Sequence, residues 1–237
     1  MKITVCIPSY GQAQYLEQAI QSALSQTYLP HEVIIVDDGS TDGSLEIARR
    51  YQPRVKVISQ VNKGLASARN AGIMNATGEY VFFLDADDIM LPHCLSEIYR
   101  KGESLGQLGI YYPYDVIAPS IRCFNEKGVL QDTLLMENPT FDDFKEGNRL
   151  AYCAAIKRSV LLEVGGYSPK YDTLGGWEDL TLWYDLMKRG KKIVTIQEPL
   201  VMYRVKEKSM WKDAEKNKDA LWAQIVKDFP EAKDHVK

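Results

Sequence analysis

The sequence predicts an α/β protein with a mostly parallel central sheet flanked by helices. Three observations predict it. Short aliphatic runs alternate with segments of helical periodicity through the first hundred residues or so. One of those runs, Val33-Ile34-Ile35-Val36, is apolar at every position, which suits a strand buried on both faces. Acidic clusters, Asp37-Asp38 and Asp85-Ala86-Asp87-Asp88, directly follow two of the runs, where a strand would end.

Taken in order, Ile3-Thr4-Val5-Cys6-Ile7 reads as a strand stopped by Pro8, and Leu16, Ile20, Ala23 and Leu24 recur at helical spacing. The second strand is Val33 to Val36. A turn cluster from Asp38 to Gly43 then leads into a helix carrying Leu45 and Ala48. Val55-Lys56-Val57-Ile58 is the third strand, Leu65 to Met74 a helix, and Tyr80-Val81-Phe82-Phe83-Leu84 the fourth strand. Pro92 suits the first turn of a further helix. This β-α-β-α-β-α-β order places helices on both faces of the sheet.

The second half is less regular. Residues 109–130 carry strand signals with Tyr111, Tyr112 and Tyr114, 131–148 read as a long polar connection, and 150–157 as a strand. A helix is expected over 177–188, a strand over 193–196, and a last helix over 211–229 with Trp211, Leu221, Trp222, Ile225 and Val226. No linker composition separates the halves. The expectation is a single domain of two abutting halves, 1–105 and 106–210, with a C-terminal helical extension over 211–237. That extension either packs on the domain, binds a partner or touches a membrane surface.

Composition narrows the class. The 237 residues are 45% hydrophobic and 26% charged, with a net charge of -3. Without a basic excess, nucleic-acid binding is not expected. Lys188-Arg189, Lys191-Lys192 and the lysines from Lys206 to Lys218 read as solvated faces. Four scattered cysteines and three histidines, with no C-x-x-C, do not suit a structural zinc and point to reduced thiols. The opening residues are too short for a signal-peptide core, and no apolar run approaches the roughly 20 residues that span a bilayer. A cytoplasmic protein is expected, with peripheral contact to the inner face of the membrane left open.

Ligands of parallel sheets bind beyond the carboxyl ends of the strands. Asp85 and Asp87, one residue apart, can approach one hard cation, and Mg²⁺ needs only one or two carboxylates plus substrate phosphates. A turn or helix cap with solvated acids is the alternative. Asp37-Asp38-Gly39-Ser40 poses the same choice, between capping and accepting a base N–H or ribose hydroxyl. Over 177–188, Leu180, Leu182, Trp183, Tyr184, Leu186 and Met187 fill one apolar sector with Asp179 in its middle, while Glu178 falls beside Asp185 on the polar side. Asp179 is then an inward-pointing helix cap or a general base facing a cleft. Gly175-Gly176 before it makes a hinge or simply a loop.

The pieces Val5-Cys6-Ile7-Pro8-Ser9-Tyr10, Ser25-Gln26-Thr27, Val36 to Asp42, Asn62 to Asn70, Leu84 to Asp88, Gly165-Gly166-Tyr167 and Trp177-Glu178-Asp179 stand in an order that carries a resemblance. Across roughly residues 2 to 205 the chain resembles family-2 inverting glycosyltransferases of the Rossmann-like GT-A fold. The resemblance implies that Pro8, Tyr10 and Asp37 or Asp38 hold the base and ribose of a nucleotide-diphosphate sugar. It places Lys63 and Arg69 in the segment lining the nucleotide site. Asp85 would contact the ribose or a metal, Mn²⁺ or Mg²⁺, which Asp87 would coordinate. Asp179 would be the catalytic base, with Glu178 and Trp177 shaping the site of an acceptor hydroxyl on a glycan, a lipid-linked sugar or another molecule.

One departure concerns Lys206. Relatives often carry Tyr-Arg-x-His after the last strand, with the His available to the metal. Here the segment is Tyr203-Arg204-Val205-Lys206, then Ser209-Met210. A protonated Lys is no metal ligand, but it neutralises a diphosphate. Two other classes stand as alternatives: a nucleotidyltransferase-like metal–nucleotide enzyme, disfavoured by the lack of a G-x-G-x-x-G or G-x-x-x-x-G-K-[ST] loop, and an inactive sugar- or nucleotide-binding module. Tyr111, Tyr112, Trp177 and Trp183 either stack on sugar faces or pack in the core.

Overall fold

The computed structural model describes residues 1–103, 113–133, 139–140, 143, 148, 150–207 and 216–235. Tyr111, Tyr112, Ser209, Met210, Trp211 and most of the 131–148 connection lie outside the described residues.

Strands β1 (Ile3–Ser9), β2 (Glu32–Asp37), β3 (Lys56–Ser59) and β4 (Tyr80–Phe83) alternate with helices α1 (Ala13–Leu24), α2 (Ser44–Arg50) and α3 (Leu65–Asn75). The chain continues through a two-residue strand β5 (Ile89–Met90), α4 (Cys94–Glu103), β6 (Val116–Asn125), β7 (Gly128–Thr133), β8 (Ala155–Lys157), α5 (Arg158–Val164), α6 (Glu178–Lys188), β9 (Ile193–Arg204) and α7 (Lys218–Asp228). One sheet runs β3-β2-β1-β4-β8-β6-β9-β5, with β7 beside β6.

The four N-terminal strands are mutually parallel, as the alternation predicts. Past β4 the sheet is mixed. β8 runs antiparallel to β4 and to β6, β9 runs parallel to β6, and β5 runs antiparallel to β9. The β5–β9 pair carries a strand from the first half across to the far edge, so the two halves share one continuous sheet.

Side-chain alternation along the strands divides the interior into two cores. Val5, Ile7, Val33, Ile35 and Phe82 face α1, α2 and α4, where Leu16, Ile20, Ala48 and Ile98 meet them. Cys6, Ile34, Val36, Val81 and Phe83 face α3, α5 and α6. Gly72 lets α3 lie close on β1, because a Cβ there would sit 2.2 Å from Cys6 Sγ. The C-terminal helix packs on this second core: Leu221 and Ile225 are wholly buried, and Trp222 meets Trp177 edge-on. No helix among the described residues is long and apolar enough to cross a membrane.

Several boundaries differ from expectation. β8 holds three residues of the expected 150–157 run, and β9 extends eight residues past the expected 193–196. Pairing with β6 on one edge and β5 on the other carries β9 onward, a non-local gain that periodicity does not encode.

Candidate active site

A cleft of about 400 Å³ opens at the carboxyl ends of β1, β2 and β4, where a parallel sheet puts its ligand. Pro8, Tyr10, Asp38, Asp85, Asp87 and Lys206 all line it. Tyr10 is 57% exposed and presents its ring at the mouth.

The two neighbouring acids at the end of β2 separate. Val33, Ile35 and Asp37 share one face of the strand, so Asp37 turns toward α1 and α2 and is absent from the cleft lining. Its carboxylate is buried, with no hydrogen-bond partner among the described residues. Asp38 lies past the last ladder residue and turns into the cleft. Its Oδ1 accepts from Gln60 Nε2 at 2.7 Å and the Lys63 N–H at 3.0 Å, and its Oδ2 from the Gly64 N–H at 2.9 Å. Of the pair offered by sequence, only Asp38 faces the cleft. Lys63 enters through its backbone, while its flanking residues Asn62 and Gly64 form the wall.

Arg69, on α3, is 1% exposed and joins the halves. Its Nη2 donates to Asp85 Oδ1 at 2.8 Å and its Nη1 to Glu178 Oε1 at 2.5 Å. The guanidinium also lies 5.1 Å from the Tyr167 ring centroid and 5.6 Å from that of Tyr152. Burial pushes the Asp85 carboxyl up to about 6 against the pull of Arg69.

Of the two acids at the start of α6, Glu178 departs from the place expected of it. Glu178 is 5% exposed and paired with Arg69, whereas Asp179 is half-buried. The helical-wheel expectation fails because α6 is buried nearly all round: Leu180, Thr181, Leu182, Trp183, Tyr184 and Leu186 are all buried, so no single polar face exists. Trp183 is wholly buried, which makes it a core residue and not a sugar platform. Gly175, Gly176 and Trp177 take successive positive φ of 95°, 140° and 70°, turning the chain sharply into α6. Asp179 Oδ1 accepts from the Leu180 N–H at 2.7 Å and its Oδ2 from Asn148 Nδ2 at 3.1 Å. Burial first, then the nearby Glu178 charge, push Asp179 up to about 7. Asp179 does not line the 400 Å³ cleft itself; Glu178 and Arg69 connect it to Asp85 on the cleft wall.

Lys206 Nζ lies 2.5 Å from Asp87 Oδ2. Arg204 braces this segment: its N–H donates to Asp88 Oδ1 at 2.7 Å, its Nε to the Asp87 carbonyl at 2.8 Å, and its guanidinium sits between the rings of Tyr15 and Phe124. The Tyr152 hydroxyl donates to Asp88 Oδ2 at 2.5 Å and accepts from the Asp85 N–H at 3.2 Å. Burial, with Asp87 adding to it, holds Asp88 well above the usual carboxylate range. Asp88, Tyr152, Arg204 and the cleft-lining Asp172 had no individual role in the sequence reading. Asp88 and Arg204 left traces there, inside Asp85-Ala86-Asp87-Asp88 and Tyr203-Arg204-Val205-Lys206; Tyr152 and Asp172 are brought in by contacts at long separation.

Asp85 and Asp87 are hard oxygen donors on one wall, which fits Mg²⁺ or Mn²⁺ sharing its remaining positions with a diphosphate. No group of three or more His, Cys, Asp or Glu suited to a metal occurs among the described residues, so a bound cation would need ligands from its substrate.

A β-α-β sheet with a cleft at its carboxyl ends defines an α/β protein with a ligand cleft in the place this sheet class uses. The model of the family described as glycosyl transferase family 2 matches residues 4–165, and the chain belongs to that family. It is 36% identical over 215 residues to an uncharacterized glycosyltransferase of Nostoc sp., covering 86% of this chain and 65% of that protein. Among solved structures it is similar to S. aureus TarS in complex with UDP, with a TM-score of 0.70 at 20% identity over 95% of this chain and 66% of that one. It is also similar to the mannosyltransferase PcManGT from Pyrobaculum calidifontis in complex with GDP-Man and Mn²⁺, with a TM-score of 0.68 at 20% identity over 95% of this chain and 64% of that one. The chain thus spans just under two thirds of each of these proteins. The fold is that of the GT-A glycosyltransferases.

Proposed function

We propose that the protein transfers a sugar from a nucleotide-diphosphate sugar to an acceptor hydroxyl with inversion, using Asp179 as general base. One observation carries this reading: Arg69 ties Asp85, on the wall of the nucleotide cleft, to Glu178, the residue before a carboxyl raised to about 7. A base with that affinity holds an acceptor proton firmly yet is largely ionised just above neutrality.

In the proposed step the acceptor oxygen attacks the anomeric carbon as Asp179 takes its proton. The bond from that carbon to the diphosphate oxygen breaks, and its electron pair leaves with the nucleoside diphosphate. Tyr10, Pro8 and Asp38 hold the base and ribose. Lys206 stands where it can neutralise the departing diphosphate. Asp85 and Asp87 would hold a divalent cation, which would add positive charge beside the leaving group. The acceptor, a glycan, a lipid-linked sugar or another hydroxyl compound, belongs to the same proposal.

The test is Asp179→Asn assayed against UDP-glucose, UDP-N-acetylglucosamine and GDP-mannose with Mn²⁺. Transfer should vanish while nucleotide binding, followed by thermal shift, persists. Turnover at the wild-type rate in this variant overturns the assignment of the base. Release of free pyrophosphate by the wild type from UTP or GTP in the presence of a sugar 1-phosphate, with no nucleoside diphosphate released from the sugar nucleotides, would move the protein to nucleotidyl transfer.

A further inference from the structure

We propose that Asp172 is a positioning residue that sets the catalytic strap, residues 172–179, against the donor cleft by capping α3. The proposal rests on the assignment of Asp179 as base.

The first turn of a helix leaves N–H groups without intrahelical partners. The N–H groups leading into α3 and opening it are shared between the two halves of the chain. Asp38, at the end of β2, takes the N–H groups of Lys63 and Gly64. Asp172, 106 residues along the chain from Ala66, brings both carboxylate oxygens to 3.1 Å from the Ala66 N–H. Gly64, at φ 93°, makes room for this: a Cβ there would lie 2.4 Å from Asp172 Oδ2. Any side chain at position 64 would evict the carboxylate.

Asp172 opens a single 3-10 turn, Asp172–Leu174, and the chain then passes through the three positive-φ residues to Glu178 and Asp179. Glu178 is held by Arg69, three residues after Ala66 on α3. The strap is therefore pinned at two points one helical turn apart on the same helix. That helix also supplies Leu65 and Ala68 to the cleft wall, and Asp172 itself lines the cleft. A strap pinned at Glu178 alone is free to pivot, and a displacement near 1 Å at a reacting group costs about a hundredfold in rate.

The experiment compares Asp172→Ala, Asp172→Asn and Asp172→Glu with the wild type. Turnover is nucleoside diphosphate release from whichever of UDP-glucose, UDP-N-acetylglucosamine and GDP-mannose the wild type uses best. Affinity for the matching nucleoside diphosphate is measured by calorimetry. Asp172→Ala should lower kcat about 10- to 100-fold with little change in nucleotide affinity. Asp172→Asn, which keeps an oxygen for the Ala66 N–H, should retain most of kcat, and Asp172→Glu, which moves the carboxylate by one methylene, should not. Should Asp172→Ala fail to fold, the Asn–Glu contrast carries the same test. Wild-type kcat in Asp172→Ala or Asp172→Glu, or equal losses of kcat and nucleotide affinity, overturns the proposal. If Asp179→Asn is inactive while Asp172→Ala is fully active, only the strap falls; if Asp179→Asn turns over normally, the base assignment itself is lost.

Discussion

The ammonium of Lys206 lies 2.5 Å from the Asp87 carboxylate, inside the cleft that Asp85 and Tyr10 also line. The cleft thus carries a cation of its own at the second acid of Asp85-Ala86-Asp87. Lys206→Ala should weaken binding of UDP or GDP in EDTA by about tenfold, the equivalent of about 1.4 kcal/mol for one charge-assisted contact. The same variant should depend more steeply on added Mn²⁺ than the wild type does. Calorimetric titrations with and without the metal measure both; equal affinities in the two proteins would remove Lys206 from the diphosphate site.

Asp179 predicts a pH dependence with a definite sign. Its folded-state value, about 7, lies above the ordinary 3.8. Only the ionised carboxylate accepts a proton, so turnover should rise with pH through about 7 and then level off.

The same shift acts on stability in the opposite direction. The folded protein holds this proton between about pH 4 and 7, where the unfolded chain has released it, so stability falls as pH rises through that window. Asp179→Asn should then be more stable than the wild type at pH 8, by about 1–2 kcal/mol once solvent access to the half-buried group is allowed for. Urea unfolding at pH 4 and pH 8 tests it: a stability gain that does not grow with pH would contradict the cause assigned to the shift.

Arg69→Met should destabilise the fold by about 3–5 kcal/mol, because it leaves the Glu178 carboxylate buried without its counter-charge. A second change, Glu178→Leu, should restore part of that stability without restoring transfer. Chemical denaturation of the single and double variants separates the structural part of this ion pair from its place in the site.

Gly72→Ala tests how closely α3 must lie on β1. The new methyl would stand 2.2 Å from Cys6 Sγ and should cost about 1–3 kcal/mol. Cys6→Ala in the same chain removes the obstructing sulfur and should recover much of the loss in thermal unfolding. No recovery would mean that the backbone, and not the sulfur, limits the approach.

Much of the site was legible because it sits at strand ends. The aliphatic runs at β1, β2 and β4 announce themselves locally, and the acids that follow them must emerge where a parallel sheet receives ligands. Pro8, Tyr10, Asp38, Asp85 and Asp87 all line the cleft on that logic. Asp37 was inseparable from Asp38 in sequence, since both readings of the pair rested on the same turn. The wheel over 177–188 misplaced Glu178, because it assumes one wet face and α6 has almost none.

The sequence by itself determined the order of strands and helices through the first half, and with it the end of the sheet where ligands meet the protein. That information is local: period, turn chemistry and the length of each apolar run. Only the tertiary structure decided that Arg69 spans Asp85 and Glu178, that Asp172 caps a helix 106 residues away, and that Lys206 reaches Asp87. Those contacts set carboxylates against opposite charges or backbone N–H groups without which their burial is costly, and no window of neighbouring residues reveals which partner a distant segment will bring.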